Sequence, residues 1–261
     1  MTTEEYLFGD SDLAARRLAV LAEGFAASSR AFMVDASERG LPLAVDLGCG
    51  PGTTTHLLAD ALECDRAVGL DNAEHFITLA EKTATPNVSF RRHDVTTVPF
   101  PDGLCDLIYA RFLLTHLPGP EALVAKWATQ LRPGGRLLLE EAVSIDTTSA
   151  VFSTYLTIAE AMLTDRGHDL YVGRVLDTMA LPGALAKRAS RVARVALTNS
   201  LAAKLFWMNM QTWKHHAFVR ENYSPTAIQQ VERGLADLAA TPTEEKDIEW
   251  RLLQLVLERK D

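Results

Sequence analysis

Three alternating glycines directly after a short apolar segment constrain this chain more than any other feature. Residues 43–47 are apolar except for Asp46, and Gly48, Gly50 and Gly52 follow at every second position. Such an apolar run is typical of a buried parallel strand, and closely spaced glycines let the backbone approach a ligand. The residues that follow have helical spacing. The sequence therefore predicts a strand, a glycine-rich loop and a helix, which together open a nucleotide-type βαβ unit.

Charge narrows the kind of ligand that this loop would hold. A phosphate cradle needs positive charge as well as backbone N–H groups, yet residues 43–62 contain no Lys or Arg. Asp46 would repel a pyrophosphate and suits a ligand with an ammonium or sulfonium group. A second acid, Asp71, closes the next apolar segment, where a ribose diol is usually held. An adenosyl ligand without phosphates fits both acids, whereas NAD is disfavoured because the spacing G-x-G-x-x-G is lacking.

Strands and helices alternate through the first half of the chain. The apolar pattern predicts strands at 43–47, 66–70, 88–92, 105–110 and 135–142 and helices at 52–62, 74–84 and 119–131. This rhythm predicts a doubly wound α/β fold with a mostly parallel seven-stranded sheet. Ligands bind such sheets beyond the carboxyl ends of the strands, and Asp46, Asp71 and Asp94 all fall at those ends. Each aspartate alone could instead be a helix cap or a turn former.

The flanking segments are predicted to be largely helical. Ser11 or Asp12 can cap an N-terminal helix that runs to about Arg39. Strand six is predicted at 191–198 and an antiparallel last strand at 251–258. The roughly 50 residues between them are too many for a hairpin loop and indicate a helical insertion near 200–240, interrupted at Pro225.

We expect a single domain in three parts. These are a helical N-terminal arm (1–40), a cofactor-binding core (41–146) and a substrate-side half (147–261).

Composition and charge exclude several classes of protein. The formal net charge of −8 argues against a nucleic-acid partner, because phosphate contacts need clustered Lys and Arg. No apolar run is long enough to span a bilayer, and the acidic N-terminus is unlike a signal peptide. The three cysteines lack disulfide or metal-ligand spacing and suit a reducing cytosol. We therefore expect a cytoplasmic protein without a membrane, nucleic-acid or metal partner, and a homodimer is one option for its assembly.

Four segments in order resemble the motifs of the class I S-adenosylmethionine-dependent methyltransferases of the small-molecule type. They are Val45 to Gly52, Asp71, His93-Asp94-Val95, and the turn from Leu131 to Leu137. The resemblance implies S-adenosylmethionine as the cofactor, with Asp46 at its methionine end, Asp71 at the ribose and Asp94 at the adenine. The implied cofactor residues are Tyr6, Arg17, Asp46, Gly48, Cys49, Gly50, Gly52, Asp71, Asn72, His93, Asp94, Val95 and Arg111.

The N-terminal arm carries a weaker part of the resemblance. Tyr6-Leu7-Phe8-Gly9 followed by Arg17-Leu18 resembles the arm that folds over the methionine end of the cofactor in many relatives. The alternative is a helix that packs on the sheet, with Tyr6 as a surface hydrophobe.

The resemblance implies methyl transfer to an O or N nucleophile of a small, partly apolar acceptor. An aromatic and methionine stripe in the insertion is either core or the wall of an apolar pocket. Its members are Phe206, Trp207, Met208, Met210, Trp213 and Phe218. Strand five ends in Glu140-Glu141, where a carboxylate faces the site or belongs to an exposed strand end. Arg111 could pair with an acid or meet an anionic substrate. The substrate candidates are Arg111, Glu141, Tyr171, Arg174, Trp207 and Met210.

A hydroxyl acceptor would need a base, and histidines are the candidates. They are His116, His168, His215 and His216. His116 could instead be a helix-end histidine with a backbone partner.

Two other functions stay open at this stage. A natural-product cyclase could use the same fold and hold the cofactor without consuming it. A binding protein without turnover is the second alternative, although the intact glycines and acids count against it.

Overall fold

A computed structural model describes residues 11–260, and within them the chain forms a seven-stranded sheet flanked by helices. The strands are β1 (Ala44–Leu47), β2 (Ala67–Asp71), β3 (Val88–Arg92), β4 (Cys105–Arg111), β5 (Leu131–Thr147), β6 (Leu185–Leu197) and β7 (Ile248–Arg259). The helices are α1 (Asp12–Ala36), α2 (Thr53–Leu62), α3 (Glu74–Glu81), α4 (Pro120–Ala128), α5 (Ala150–Asp165), α6 (Gly173–Thr178), α7 (Asn199–Trp213), α8 (Ala217–Asn222) and α9 (Pro225–Ala240), with a 3-10 turn at Leu114–His116.

The strand order across the sheet is β3-β2-β1-β4-β5-β7-β6. The first five strands pair in parallel, and β7 is antiparallel to both of its neighbours. The order reverses between β1 and β4, and a crevice forms at such a switch point because the flanking connections leave in opposite directions. The predicted fold, a mostly parallel sheet with an antiparallel last strand and a helical insertion before it, is confirmed.

The core is divided between the two faces of the sheet, because neighbouring strand residues point in opposite directions. Val45 packs in one cluster with Trp127 of α4. Ala44 packs in the other with Phe32 of α1 and Leu58 of α2. Helices on both faces therefore hold the ends of the strands rigid around the crevice.

Strand β6 begins at Leu185, six positions before the predicted start at Arg191. It is the edge strand, and most of its residues before Leu197 are exposed, so no apolar alternation marks its beginning. Its position comes from the backbone ladder with β7, which already pairs Ala186 with Glu258. An edge strand held by one neighbour leaves little trace in the hydrophobic pattern.

The predicted insertion consists of α7, α8 and α9, which lie between β6 and β7 along the chain. Pro225 opens α9 after the Ser224 cap, where its missing N–H has no consequence. The neck of the insertion is closed by two side-chain bonds. Asn199 Nδ2 donates to Asp247 Oδ2, and Asp247 N donates to Asn199 Oδ1, both at 2.8 Å. We call this pair the neck clasp.

Among the helices within residues 11–260, none combines the length and apolar character that crossing a bilayer requires. The division into arm, core and substrate-side half stays a prediction.

Candidate active site

A cavity of about 840 Å³ lies at the carboxyl ends of β1, β2 and β4. Its volume is in the upper part of the range of small-molecule sites. Helices α1, α5 and α7 supply the opposite wall. The predicted cofactor residues that line it are Arg17, Asp46, Gly48, Cys49, Gly50, Asp71, Asn72, Asp94, Val95 and Arg111.

The backbone N–H groups of the glycine loop bond within the protein. Gly48 N and Cys49 N donate to Leu70 O at 2.8 and 3.1 Å. Gly50 N donates to Asp71 Oδ2 at 2.9 Å. A phosphate cradle works by pointing such N–H groups at the ligand. Because these three are engaged by β2 and Asp71, the loop has the geometry for a ligand without phosphates.

All three glycines of the loop have a left-handed backbone and a close neighbour, and the last two show the consequence. Gly52 has a φ of +92°, and a Cβ there would stand 2.6 Å from Phe90 Cζ. Gly50 has a φ of +52°, and a Cβ there would meet Leu18 Cδ1 at 3.1 Å. Any larger residue would therefore be strained in its backbone and would push against α1 or β3.

Asp46 is a structural as well as a cavity-lining residue. Its side chain is only 1% exposed, and Oδ2 accepts bonds from the hydroxyls of Thr54 and Thr55 at 2.6 and 2.7 Å. Burial raises the pKa of Asp46 to about 6, while the two hydroxyl bonds and the charge of Arg111 act in the opposite direction. The carboxylate thus fastens the start of α2 to the end of β1 and is mostly negative at neutral pH.

Asp71 and Asp94 order the loops on either side of the cavity. Asp71 accepts from Gly50 N and, through Oδ1, from Ala73 N at 2.8 Å. Asp94 Oδ1 accepts from the N–H and the hydroxyl of Thr96 at 2.9 and 2.7 Å. Each carboxylate oxygen has capacity for further bonds, so both acids can also bind hydroxyl or amino groups of a ligand.

Three arginines line the cavity. Arg92, the last residue of β3, pairs through Nη1 with Glu74 Oε2 at 2.8 Å, and the other two enter from different sides. Arg111 follows the core of β4, donates from Nη1 to Ser29 Oγ at 2.8 Å, and stands close enough to Asp46 to lower the pKa of that carboxyl. Arg17 lies on α1, is only 4% exposed, and donates from Nη1 to Oδ1 of Asn209 on α7. Arg92 and Arg111 therefore belong to the strand side of the cavity, and Arg17 belongs to the helical wall.

Of the four predicted base candidates, His116 lines the cavity. Burial, with smaller contributions from the charges of Arg17 and His168, lowers the pKa of His116 to about 3. The imidazole is therefore neutral at physiological pH. His215 is exposed, and His216 Nε2 accepts from Arg166 Nη2 at 2.7 Å. Neither of them nor His168 is among the residues that line the cavity.

Glu140 and Glu141 are both fully buried, so the alternative of an exposed strand end is wrong. Glu141 Oε1 accepts from Leu113 N and Leu114 N, each at 2.8 Å. Glu140 accepts from Tyr109 Oη and from Gln254 Nε2. Glu141 thus holds the backbone at Leu113 and Leu114, just after β4, in the segment that borders the cavity.

Replacing Glu141 by glutamine is expected to flatten the pH dependence of the free energy of unfolding. Burial raises the pKa of Glu141 from 4.5 to about 8. Between these values the folded state holds a proton that the unfolded state has released, so stability falls as pH rises through this window. The wild-type loss across this window is on the order of 5 kcal/mol. The glutamine Oε1 still accepts both backbone bonds.

Urea unfolding at a series of pH values measures this effect. Glu121→Gln, at an exposed glutamate of α4, is the matched control and should keep the wild-type slope. An unchanged slope in Glu141→Gln would contradict the assignment of the proton to this carboxyl.

Several other predicted site residues do not line the cavity. Arg174 is exposed, its guanidinium lies 4.8 Å from the Tyr171 ring centroid, and its Nε donates to Val143 O. Met210 is fully buried in the hydrophobic cluster against which Trp207 packs. His93, Gly52 and Glu141 are likewise absent from the lining residues. Tyr6 lies outside the described residues. The functional roles assigned to these residues stay predictions.

The helical wall contains residues that the sequence did not single out as binding residues. Tyr155 and Asn209 line the cavity beside Leu156, Leu205 and Phe206. The ring of Phe206 stacks on that of Tyr155 with centroids 4.1 Å apart. Phe206 belongs to the predicted aromatic stripe, which therefore supplies both core and cavity wall. Tyr155 and Asn209 carry no local signal, because only the packing of α5 against α7 brings them together.

The part of the chain that carries the glycine loop and the three aspartates is similar in sequence to known methyltransferases. A family model described as a methyltransferase domain matches residues 44–135. Trans-aconitate 2-methyltransferase of Variovorax paradoxus is 38% identical over 96 residues, which are 37% of this chain and 37% of that protein. The chain matches just over a third of the length of this and other curated relatives.

Two solved structures share the fold at low sequence identity. One is phosphoethanolamine N-methyltransferase 2 of Haemonchus contortus, in complex with phosphomonomethylethanolamine and S-adenosylhomocysteine. Its TM-score is 0.51 at 16% identity, over 94% of this chain and 52% of that one. The other is the [4+2]-cyclase SpnF, with a TM-score of 0.53 at 14% identity, over 89% of this chain and 81% of that one.

The predicted resemblance to the class I S-adenosylmethionine-dependent methyltransferases is confirmed by the family match and the shared fold. The part of the chain that the family model covers runs from the start of β1 into the first residues of β5.

Proposed function

We propose that this protein transfers the methyl group of S-adenosylmethionine to an O or N nucleophile of a small, partly apolar molecule. The observation that carries the proposal is the convergence of Asp46, Asp71 and Asp94 with Gly50 on one cavity. The internal bonds of the loop amides further favour a nucleoside without phosphates. The family match over residues 44–135 supports the same conclusion.

The residues present fit this cofactor. Asp71 would accept from the ribose hydroxyls while keeping Gly50 in place, and Asp94 would accept from the adenine amino group. Asp46 and Arg111 carry opposite charges and approach each other at the loop. Together they complement the ammonium and carboxylate groups of a methionine end. This pairing also explains why a cation can stand beside a sulfonium compound.

The work of the protein in this reaction is alignment and exclusion of water. The bound cofactor supplies an activated methyl group. The chain has to hold the acceptor nucleophile in line with the methyl carbon, and comparable intramolecular reactions reach effective molarities of about 10⁵–10⁸ M. Leu18 and Leu21 of α1 line the cavity. Apolar side chains in this position keep water away from the reacting atoms.

His116 is the base that we propose for a hydroxyl acceptor. It lines the cavity, and its neutral imidazole is the form that can accept a proton. Its low pKa also makes it a weak base. An acceptor that binds as a neutral amine or as an anion is therefore favoured, because its nucleophile needs no base before it attacks.

A natural-product cyclase is the second candidate, favoured by the fold shared with SpnF.

We also propose that the chain acts as one domain in the cytoplasm, in keeping with its three free, buried cysteines among the described residues.

Binding and label transfer test the proposed function together. Calorimetry should show that S-adenosylhomocysteine binds and that NAD does not displace it. Incubation with methyl-labelled S-adenosylmethionine and a panel of small alcohols, phenols, amines and acids should transfer label to at least one class. Binding without any transfer would favour the cyclase. Tight binding of NAD that the sulfonium compound cannot displace would overturn both.

A further inference from the structure

We propose that the methyl acceptor is an organic acid whose anionic group binds to Arg17 at the helical wall of the cavity. The inference rests on the proposed methyl transfer and specifies its substrate class. It also moves Arg17 from the cofactor, where the sequence prediction placed it, to the acceptor.

The direction of the Arg17 side chain is the first argument. Leu18, the next residue of α1, covers Gly50 and therefore faces the cofactor loop. Arg17 is turned about a quarter of the helix circumference away. Its guanidinium reaches Asn209 on α7, and its charge acts on His116 and on Tyr155 of α5. The cation is thus directed at the helical wall and not at the glycine loop.

The distribution of charge in the cavity is the second argument. The carboxylates among its described lining residues are Asp46, Asp71, Glu74 and Asp94, and all four come from the β1, β2 and β3 side. The described residues that line it from α5 and α7 include no carboxylate. The two other lining arginines lie on that same side, where Arg92 pairs with Glu74 and Arg111 acts on Asp46. A ligand that spans the cavity would therefore meet acids at one end and Arg17 at the other.

The surroundings of Arg17 can recognise an anion directly. Burial raises the pKa of Tyr155 well above its usual range, so its hydroxyl stays a neutral donor. Asn209 holds the guanidinium through its amide oxygen, which orients the planar fork. A guanidinium binds a carboxylate through two parallel bonds, and such bonds strengthen when water is excluded.

The rest of this wall determines the body of the acid. Four apolar or aromatic residues, Leu156, Leu205, Phe206 and Trp250, line the same cavity as Arg17. Arg17 itself is almost completely shielded from solvent. We therefore expect an acid with an apolar or aromatic body, because a small hydrophilic acid would leave this surface uncovered.

Matched acids and amides test the proposal without knowledge of the natural acceptor. Benzoate, phenylacetate, 3-phenylpropanoate and 4-phenylbutanoate are each compared with the corresponding primary amide by calorimetry, with S-adenosylhomocysteine saturating. At least one acid should bind the wild-type protein about tenfold more tightly than its amide. Arg17→Gln should remove this preference and leave the affinity for S-adenosylhomocysteine within about threefold.

Arg16→Gln is the matched control, because Arg16 is the exposed neighbour on the same helix. It should keep the acid preference. Arg17→Lys retains the charge without the fork and should keep part of it, which also guards against a fold defect in Arg17→Gln. Equal binding of all four acids and their amides to the wild-type protein would overturn the proposal. So would a preference that survives in Arg17→Gln, or a loss of S-adenosylhomocysteine binding in its place. Failure of the wild type to bind S-adenosylhomocysteine would instead count against the proposed function.

Discussion

Replacing Gly50 by valine is expected to abolish detectable binding of S-adenosylhomocysteine. Gly50 has a φ of +52°, which a β-branched residue rarely adopts, and its Cβ would stand 3.1 Å from Leu18 Cδ1. The new side chain would also project into the cavity, which Gly50 lines. It would displace the backbone N–H of residue 50, which donates a hydrogen bond to Asp71 Oδ2. We expect calorimetry to show an affinity at least about 100-fold lower, equivalent to about 2.7 kcal/mol.

The control for backbone strain is Gly103→Val. Gly103 has a φ of +80° and no atom within 4 Å of an added Cβ, and it lies in an exposed turn. This variant should lose stability through the same left-handed strain but bind S-adenosylhomocysteine normally. Normal binding by Gly50→Val would show that the glycine loop does not contact the cofactor.

The second large effect is expected for Asp71→Ala. This change removes the acceptor of Gly50 N and Ala73 N along with the proposed ribose contact. A hydrogen bond to a charged group contributes about 1.5–3 kcal/mol. We therefore expect the affinity for S-adenosylhomocysteine to fall by about tenfold to more than 100-fold in calorimetry. Asp71→Asn keeps one acceptor oxygen and should fall in between.

Asp65→Ala is the matched control for this experiment. Asp65 is an exposed aspartate just before the amino end of β2, the strand that Asp71 closes. It carries the same charge but lies at the amino end of β2, away from the carboxyl end where the cavity is. An equal affinity loss in both variants would mean that net charge matters, and it would contradict a specific ribose contact.

The strand side of the cavity was predictable because its signals are local in sequence. Gly48, Gly50 and Gly52 follow directly from β1, and Asp71 and Asp94 sit where β2 and β3 end. The parallel topology then brings these strand ends to one edge. What the sequence did not reveal is the bonding of Asp46, whose carboxylate is held by Thr54 and Thr55.

The helical wall of the cavity was less predictable, because its residues meet only through tertiary packing. Tyr155 and Asn209 are more than 50 positions apart in the chain and come together through contacts of α5 and α7. For Glu141, the sequence did not show which neighbours its side chain would meet. A strand pattern places it on one face but does not show that Leu113 and Leu114 approach it from the adjacent loop. The sequence therefore predicted the order of the helices but not which of their residues would come into contact.

The neck clasp has an evolutionary consequence. Asn199 and Asp247 close the insertion at its root, so α7, α8 and α9 leave and rejoin the sheet at almost the same place. A segment attached in this way can be exchanged or remodelled while β1, β2 and β4 keep their spacing. Changes between the two clasp positions can therefore alter Leu205, Phe206 and Asn209, the α7 part of the cavity wall, without moving the strands. Grafting that segment between relatives should transfer this part of the acceptor preference.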